Sequence, residues 1–105
     1  MNSISDSQPL RQNVSVMIFI GDGYTVACEF YDSVKHQVEE VLEAIQRDVL
    51  YTAEALCGAE FWSLLSKGER RLAGRCLAHM IIVRRLFPLV HCPGRHEYPY
   101  RYKLI

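Results

Sequence analysis

Polar and apolar positions fall into clearly different periods along this chain. Asn13 to Ile20 alternates weakly, with Val14, Val16, Ile18 and Ile20 on one parity. Tyr24 to Phe30 alternates again, with Tyr24, Val26, Cys28 and Phe30 sharing a face. A period of two is that of a half-buried strand. Gly21-Asp22-Gly23 lies between the runs and tolerates the positive φ of a tight turn, so the pair predicts a β-hairpin. The period then lengthens. Val34, Val38, Val41, Leu42, Ile45 and Val49 recur at helical spacing after a cap at Asp32 or Ser33, and Glu39, Glu40 and Glu43 lie opposite them.

The second half is read the same way. Thr52 is a candidate N-cap for Ala53 to Cys57, which Gly58 stops, and Glu60 to Leu65 makes another short segment. Ser66-Lys67-Gly68-Glu69 has the capping-box spacing and opens a long helix that runs to about Leu86, before Pro88. At 100° per residue, Leu72, Ala73, Cys76, Leu77, Met80, Val83 and Phe87 form the core arc of that helix. Its outer face carries Lys67, Arg70, Arg71, Gly74, Arg75, Ala78, Ile82 and Arg85. Leu89 to Cys92 and Tyr98 to Leu104 predict two strands joined through Pro93-Gly94-Arg95-His96.

From Leu42 onward the order is therefore helix, short helix, long helix, β-hairpin. The pieces that carry it are Tyr51-Thr52-Ala53-Glu54-Ala55-Leu56, Leu65-Ser66-Lys67-Gly68-Glu69-Arg70-Arg71-Leu72, and Leu89 to His96 returning through Tyr100-Arg101-Tyr102-Lys103-Leu104. This portion, residues 42–104, resembles the winged helix-turn-helix regulators of bacteria and their mobile elements. The resemblance rests on element order and implies a winged-helix core whose long helix is a recognition helix and whose last hairpin is a wing. The N-terminal hairpin lies outside it. The expected architecture is a single α+β domain over 14–105, behind a flexible tail at 1–13.

Composition permits this and excludes much else. The chain has 105 residues, half of them apolar and 23% charged, which suits one modest core. No apolar run reaches the roughly 18 residues of a membrane span, and Met1 to Asn13 lacks the pattern of a secretion signal, so the cytoplasm is the expected location. The net charge of zero conceals an asymmetry. Residues 1–60 hold three basic side chains against ten acidic ones, and residues 61–105 hold nine against two. Such a division points to a basic surface for an anionic partner or to two regions that pair with each other.

The candidate nucleic-acid contacts are accordingly Lys67, Arg70, Arg71, Arg75 and Arg85 on the long helix, with Arg95, Arg101 and Lys103 on the wing. The recognition-helix arginines would reach guanine or phosphate and the wing cations the flanking backbone, so the expected function is duplex-DNA binding as a regulator or accessory factor. Solvated surface cations, or cations facing an acidic protein, are the plainer readings of the same pattern. A rival function is a protein-interaction module, such as a phage-type inhibitor of a host nucleic-acid-binding complex. A homodimer is compatible with the split charge. The DNA reading requires the cations to converge in space and the acids to face elsewhere.

Other chemistry is not nominated. Cys76-x2-His79 and Cys92-x3-His96 superficially have finger-like spacing, but Cys76 falls on the core arc of a helix, so no metal is expected. Cys28, Cys57, Cys76 and Cys92 read as small buried hydrophobes. There is no P-loop, no GxGxxG and no Gly-x-Ser-x-Gly elbow, so neither a cofactor nor a catalytic residue is assigned.

Overall fold

The structure, a computed structural model, describes residues 16–93 and 100–105. The expected tail at 1–13, the first residues of the hairpin, and Arg95 and His96 at the wing tip lie outside the described residues. Those described form a mixed α+β fold with four helices and two small antiparallel sheets. None of the helices is long and apolar enough to cross a membrane.

Strands β1 (Met17–Gly21) and β2 (Tyr24–Ala27) pair antiparallel, with Ile18 opposite Val26 and an irregularity between Phe19 and Gly21. The turn matches the sequence reading. Gly21, Asp22 and Gly23 all have positive φ, at 99°, 52° and 79°. Helix α1 (Cys28–Leu42) differs from expectation at both ends. It begins directly after β2, so Cys28 and Phe30 are helical rather than part of a strand. Ala27 offers no side-chain cap, and the exposed Ser33 instead donates back to the Glu29 carbonyl one turn earlier. The helix also stops at Leu42, leaving Ile45 half-buried and Val49 exposed beyond it. Its last turn carries no basic residue, and Glu39 and Glu40 sit near the negative end of the helix dipole. The Gln46 N–H, freed from the helix, donates to the Tyr51 hydroxyl at 2.8 Å.

Helices α2 (Ala53–Cys57) and α3 (Ala59–Ser63) meet at Gly58. The Thr52 hydroxyl accepts from the Ala55 N–H, as expected. Gly58 has φ +91° and ψ 134°, a conformation that side chains with a Cβ avoid. Helix α4 (Lys67–Ala78) opens on a complete capping box: Ser66 accepts from the Glu69 N–H, and Glu69 accepts from the Ser66 N–H at 2.8 Å. The helix continues as one wide π turn, His79–Val83. That turn changes the core arc. Met80 and the unexpected Ile81 are both buried, whereas Val83 is 67% exposed. A wider turn advances each residue by less than 100°, so two consecutive side chains face inward and Val83 rotates out. The segment ends at Arg85, with φ +51°, where the Leu86 N–H reaches back to the Met80 carbonyl.

Strands β3 (Leu89–His91) and β4 (Tyr102–Leu104) pair with Leu89 opposite Leu104. Both are shorter than the sequence runs, although a Cys92 N–H to Arg101 carbonyl bond continues the pairing. Tyr51 adds an antiparallel bridge to Tyr102, with reciprocal backbone bonds of 2.8 and 2.9 Å. The core lies between these layers. Val34 and Val38 of α1 pack with Leu56 and Cys57 of α2, with Ala73, Cys76 and Leu77 of α4, and with Tyr102 of β4.

Candidate nucleic-acid interface and groove

The capping box fixes where α4 starts, and the buried positions 73, 76 and 77 fix which way it faces. Arg70, Arg71, Gly74 and Arg75 are thereby turned to the outside. They do not stand on an open convex ridge. Together with Ala78, His79, Ile82 and Val83 they form the floor of a groove of about 640 Å³. Ile20 and Asp22 of the hairpin bound it, as do Ala53 and Trp62 of the short helices and Tyr100 and Tyr102 of the C-terminal segment.

Two of the expected cations are held by neighbours within the fold. Arg70 donates through Nε to the Trp62 carbonyl at 3.0 Å, which ties the first turn of α4 to α3. The Arg75 guanidinium carbon lies 3.8 Å from the centroid of the Tyr24 ring, in cation–π geometry. One Arg75 nitrogen is 3.8 Å from Asp22, whose side chain is 88% exposed against 33% for Arg75. The Arg75 Nε is shielded from water and has no hydrogen-bond partner. An acid from the first half thus reaches the basic face, in partial conflict with the expected separation of charge.

The remaining cations divide. Lys67, Arg71, Arg85, Arg101 and Lys103 are exposed. Of these, only Arg71 lines the groove. Arg101 and Lys103 flank the buried Tyr102 on β4, so strand alternation points them away from the groove that Tyr102 lines. Glu39, Glu40, Glu43, Asp48, Glu54 and Glu60 are exposed on or near α1, α2 and α3.

His79 sits where the π turn begins, and a 2.9 Å hydrogen bond joins its Nδ1 to the Tyr31 hydroxyl. Burial, helped by the positive charge of Arg84, lowers its pKa, and burial raises that of the Tyr31 phenol. Both groups are therefore favoured neutral. The four cysteines are free thiols. Burial pushes Cys57 and Cys76 up to about 12, which keeps both in the inert protonated form. Among the described residues no group of three or more His, Cys, Asp or Glu could hold a metal ion, and His96 of the candidate finger spacing lies outside them.

Helical spacing already places Ile82 on the outer face; Tyr24, Trp62 and His79 belong to this site and were not singled out for it by sequence. Their only common feature is a place in the folded molecule, since three separate elements supply them. No protein-family model, curated protein or solved structure matches the chain.

Proposed function

We propose that this protein binds nucleic acid, as a small duplex-DNA-binding regulator or accessory factor built on a winged-helix core and acting in the cytoplasm. The observation that carries the reading is the face of α4. Lys67 and Arg71 project from it, with Arg70 and Arg75 beside them, and Glu69 is the helix's only acid. That carboxylate is occupied by the Ser66 N–H, which also holds its pKa below the usual carboxylate range. It is poorly placed to neutralise the arginines. The element order supports a winged helix: α1, the Tyr51 bridge, α2 with α3, α4, then β3 and β4 with Tyr51 paired on the far side of Tyr102. Lys67 and Arg71 on the helix would supply the phosphate contacts, whereas Arg101 and Lys103 point away from the groove that Arg71 lines and would not share that face.

Fluorescence anisotropy against a random duplex tests this. Two phosphate contacts give a slope of log K against log salt of roughly −2. Lys67→Ala and Arg71→Ala should each weaken binding and reduce the slope by about one. The absence of any salt-sensitive affinity in low salt overturns the reading.

A protein-interaction module is favoured by one other feature. Met17 and Phe19 are exposed along β1 and Val16 just before it, an apolar strip that nucleic acid would leave uncovered.

A further inference from the structure

We infer that the groove beside α4 is a binding site for a small planar anion, an aromatic ring carrying a phosphate or carboxylate. The inference goes beyond the DNA reading and stands without it. The groove's volume, about 640 Å³, falls within the range of roughly 300–1,000 Å³ typical of small-molecule sites. Its lining is largely aromatic and aliphatic and includes Trp62, Tyr100, Ile20 and Ile82. Its charged groups are mostly cationic. Arg70, Arg71 and Arg75 converge there, and the facing acid is Asp22.

Arg75 carries a donor that the fold leaves unused. Its Nε–H is buried without an acceptor, and its contact with Asp22 spans 3.8 Å. A charge-assisted bond between guanidinium and oxyanion closes to about 2.7–2.9 Å. An unused donor on this partly exposed guanidinium is costly, and a ligand oxygen that reaches it as Asp22 or Tyr24 moves aside removes that cost. Tyr24 already stacks on the guanidinium and Asp22 already brings it a carboxylate, so the hairpin tip supplies in part the ring and the anion that the ligand would bring. Asp22 is almost wholly solvated, which makes its hold on Arg75 exchangeable. The aromatic walls select a planar ring, and the guanidinium groups select the charge.

Trp62 is the only tryptophan in the chain and lines the groove, so its emission reports occupancy directly. The full chain is titrated with AMP as the phosphate probe and salicylate as the carboxylate probe. Adenosine supplies a ring without the anion, and inorganic phosphate the anion without a ring. At least one of AMP and salicylate should shift Trp62 emission saturably, and the head group that works identifies the source. Adenosine and inorganic phosphate should bind roughly tenfold more weakly, or less well still. Arg75→Ala should abolish the response. Asp22→Asn should tighten binding severalfold, a gain that loss of folding cannot produce. Saturation by neither AMP nor salicylate overturns the site, as does equal binding of adenosine or inorganic phosphate, or an unchanged affinity in Asp22→Asn. A random duplex that fails to bind while AMP or salicylate saturates removes the DNA reading and leaves this one in place.

Discussion

Arg85 holds a backbone conformation that its side chain opposes. Its φ of +51° lies in the left-handed region, where glycine normally ends a helix because it has no Cβ to clash. The side chain is exposed, so removing it costs little packing. Arg85→Gly should therefore stabilise the fold by about 0.5–1 kcal/mol after the extra entropy of the unfolded glycine is deducted. Urea denaturation checks this, and the same variant tests whether the exposed cation contributes to DNA affinity. His79 gives a prediction of a different kind. Its folded pKa lies below the ordinary imidazole value of 6.5, so the unfolded chain takes up a proton first as pH falls. Its contribution is present in full above that value and is lost as pH drops from 6.5 towards the folded pKa. Denaturation midpoints at pH 7.5 and 5.5 should differ more in the wild type than in His79→Gln.

At the scale of elements, the boundaries matter more than the interiors. Gly58 joins α2 to α3 at φ +91°, and a Cβ there would meet Gln37 and Val41 only at ordinary distances of 3.8 and 3.9 Å. Space is available; the backbone angle is what demands glycine. Gly58→Ala should destabilise by about 1–3 kcal/mol, read from thermal or urea unfolding, and should displace Trp62 on the following helix. Ser66 is the corresponding control point for α4. Ser66→Ala removes the acceptor for the Glu69 N–H and should cost about 1 kcal/mol. The capping box was legible from four consecutive residues because its whole mechanism is local. The end of α1 was not. Helical apolar spacing continues past Leu42 to Ile45 and Val49, but the Tyr51 hydroxyl binds the Gln46 N–H and the Tyr51 backbone pairs with Tyr102, drawing the chain away from the helix axis.

For the whole molecule, the division of charge along the sequence becomes a partial division in space. The Glu39, Glu40 and Glu43 side chains remain exposed on or just after α1, while the hairpin carries Asp22 across to α4. The same hairpin presents Met17 and Phe19, 54% and 63% exposed. Phe19→Ser should change stability by less than about 0.5 kcal/mol, since the ring is mostly in water. It should also abolish any concentration-dependent association measured by sedimentation. An association that survives the substitution would assign the self-contact to another face.

What this sequence determines by itself is what short-range physics can enforce. The Gly21-Asp22-Gly23 turn, the Thr52 and Ser66 caps, the inward row at 73, 76 and 77, and the parity of Tyr102 against Arg101 and Lys103 each follow from neighbours within a few residues. Tertiary structure alone decides three other things. The π turn at His79–Val83 rotates Ile81 into the core and Val83 out of it, a shift of phase that no fixed period encodes. Tyr51 forms a one-residue bridge, too short to leave any alternation. The groove draws Asp22, Trp62, Arg75 and Tyr100 from segments far apart in the chain, and the partners of a guanidinium are set by distance in space, to which residue spacing along a helix is blind.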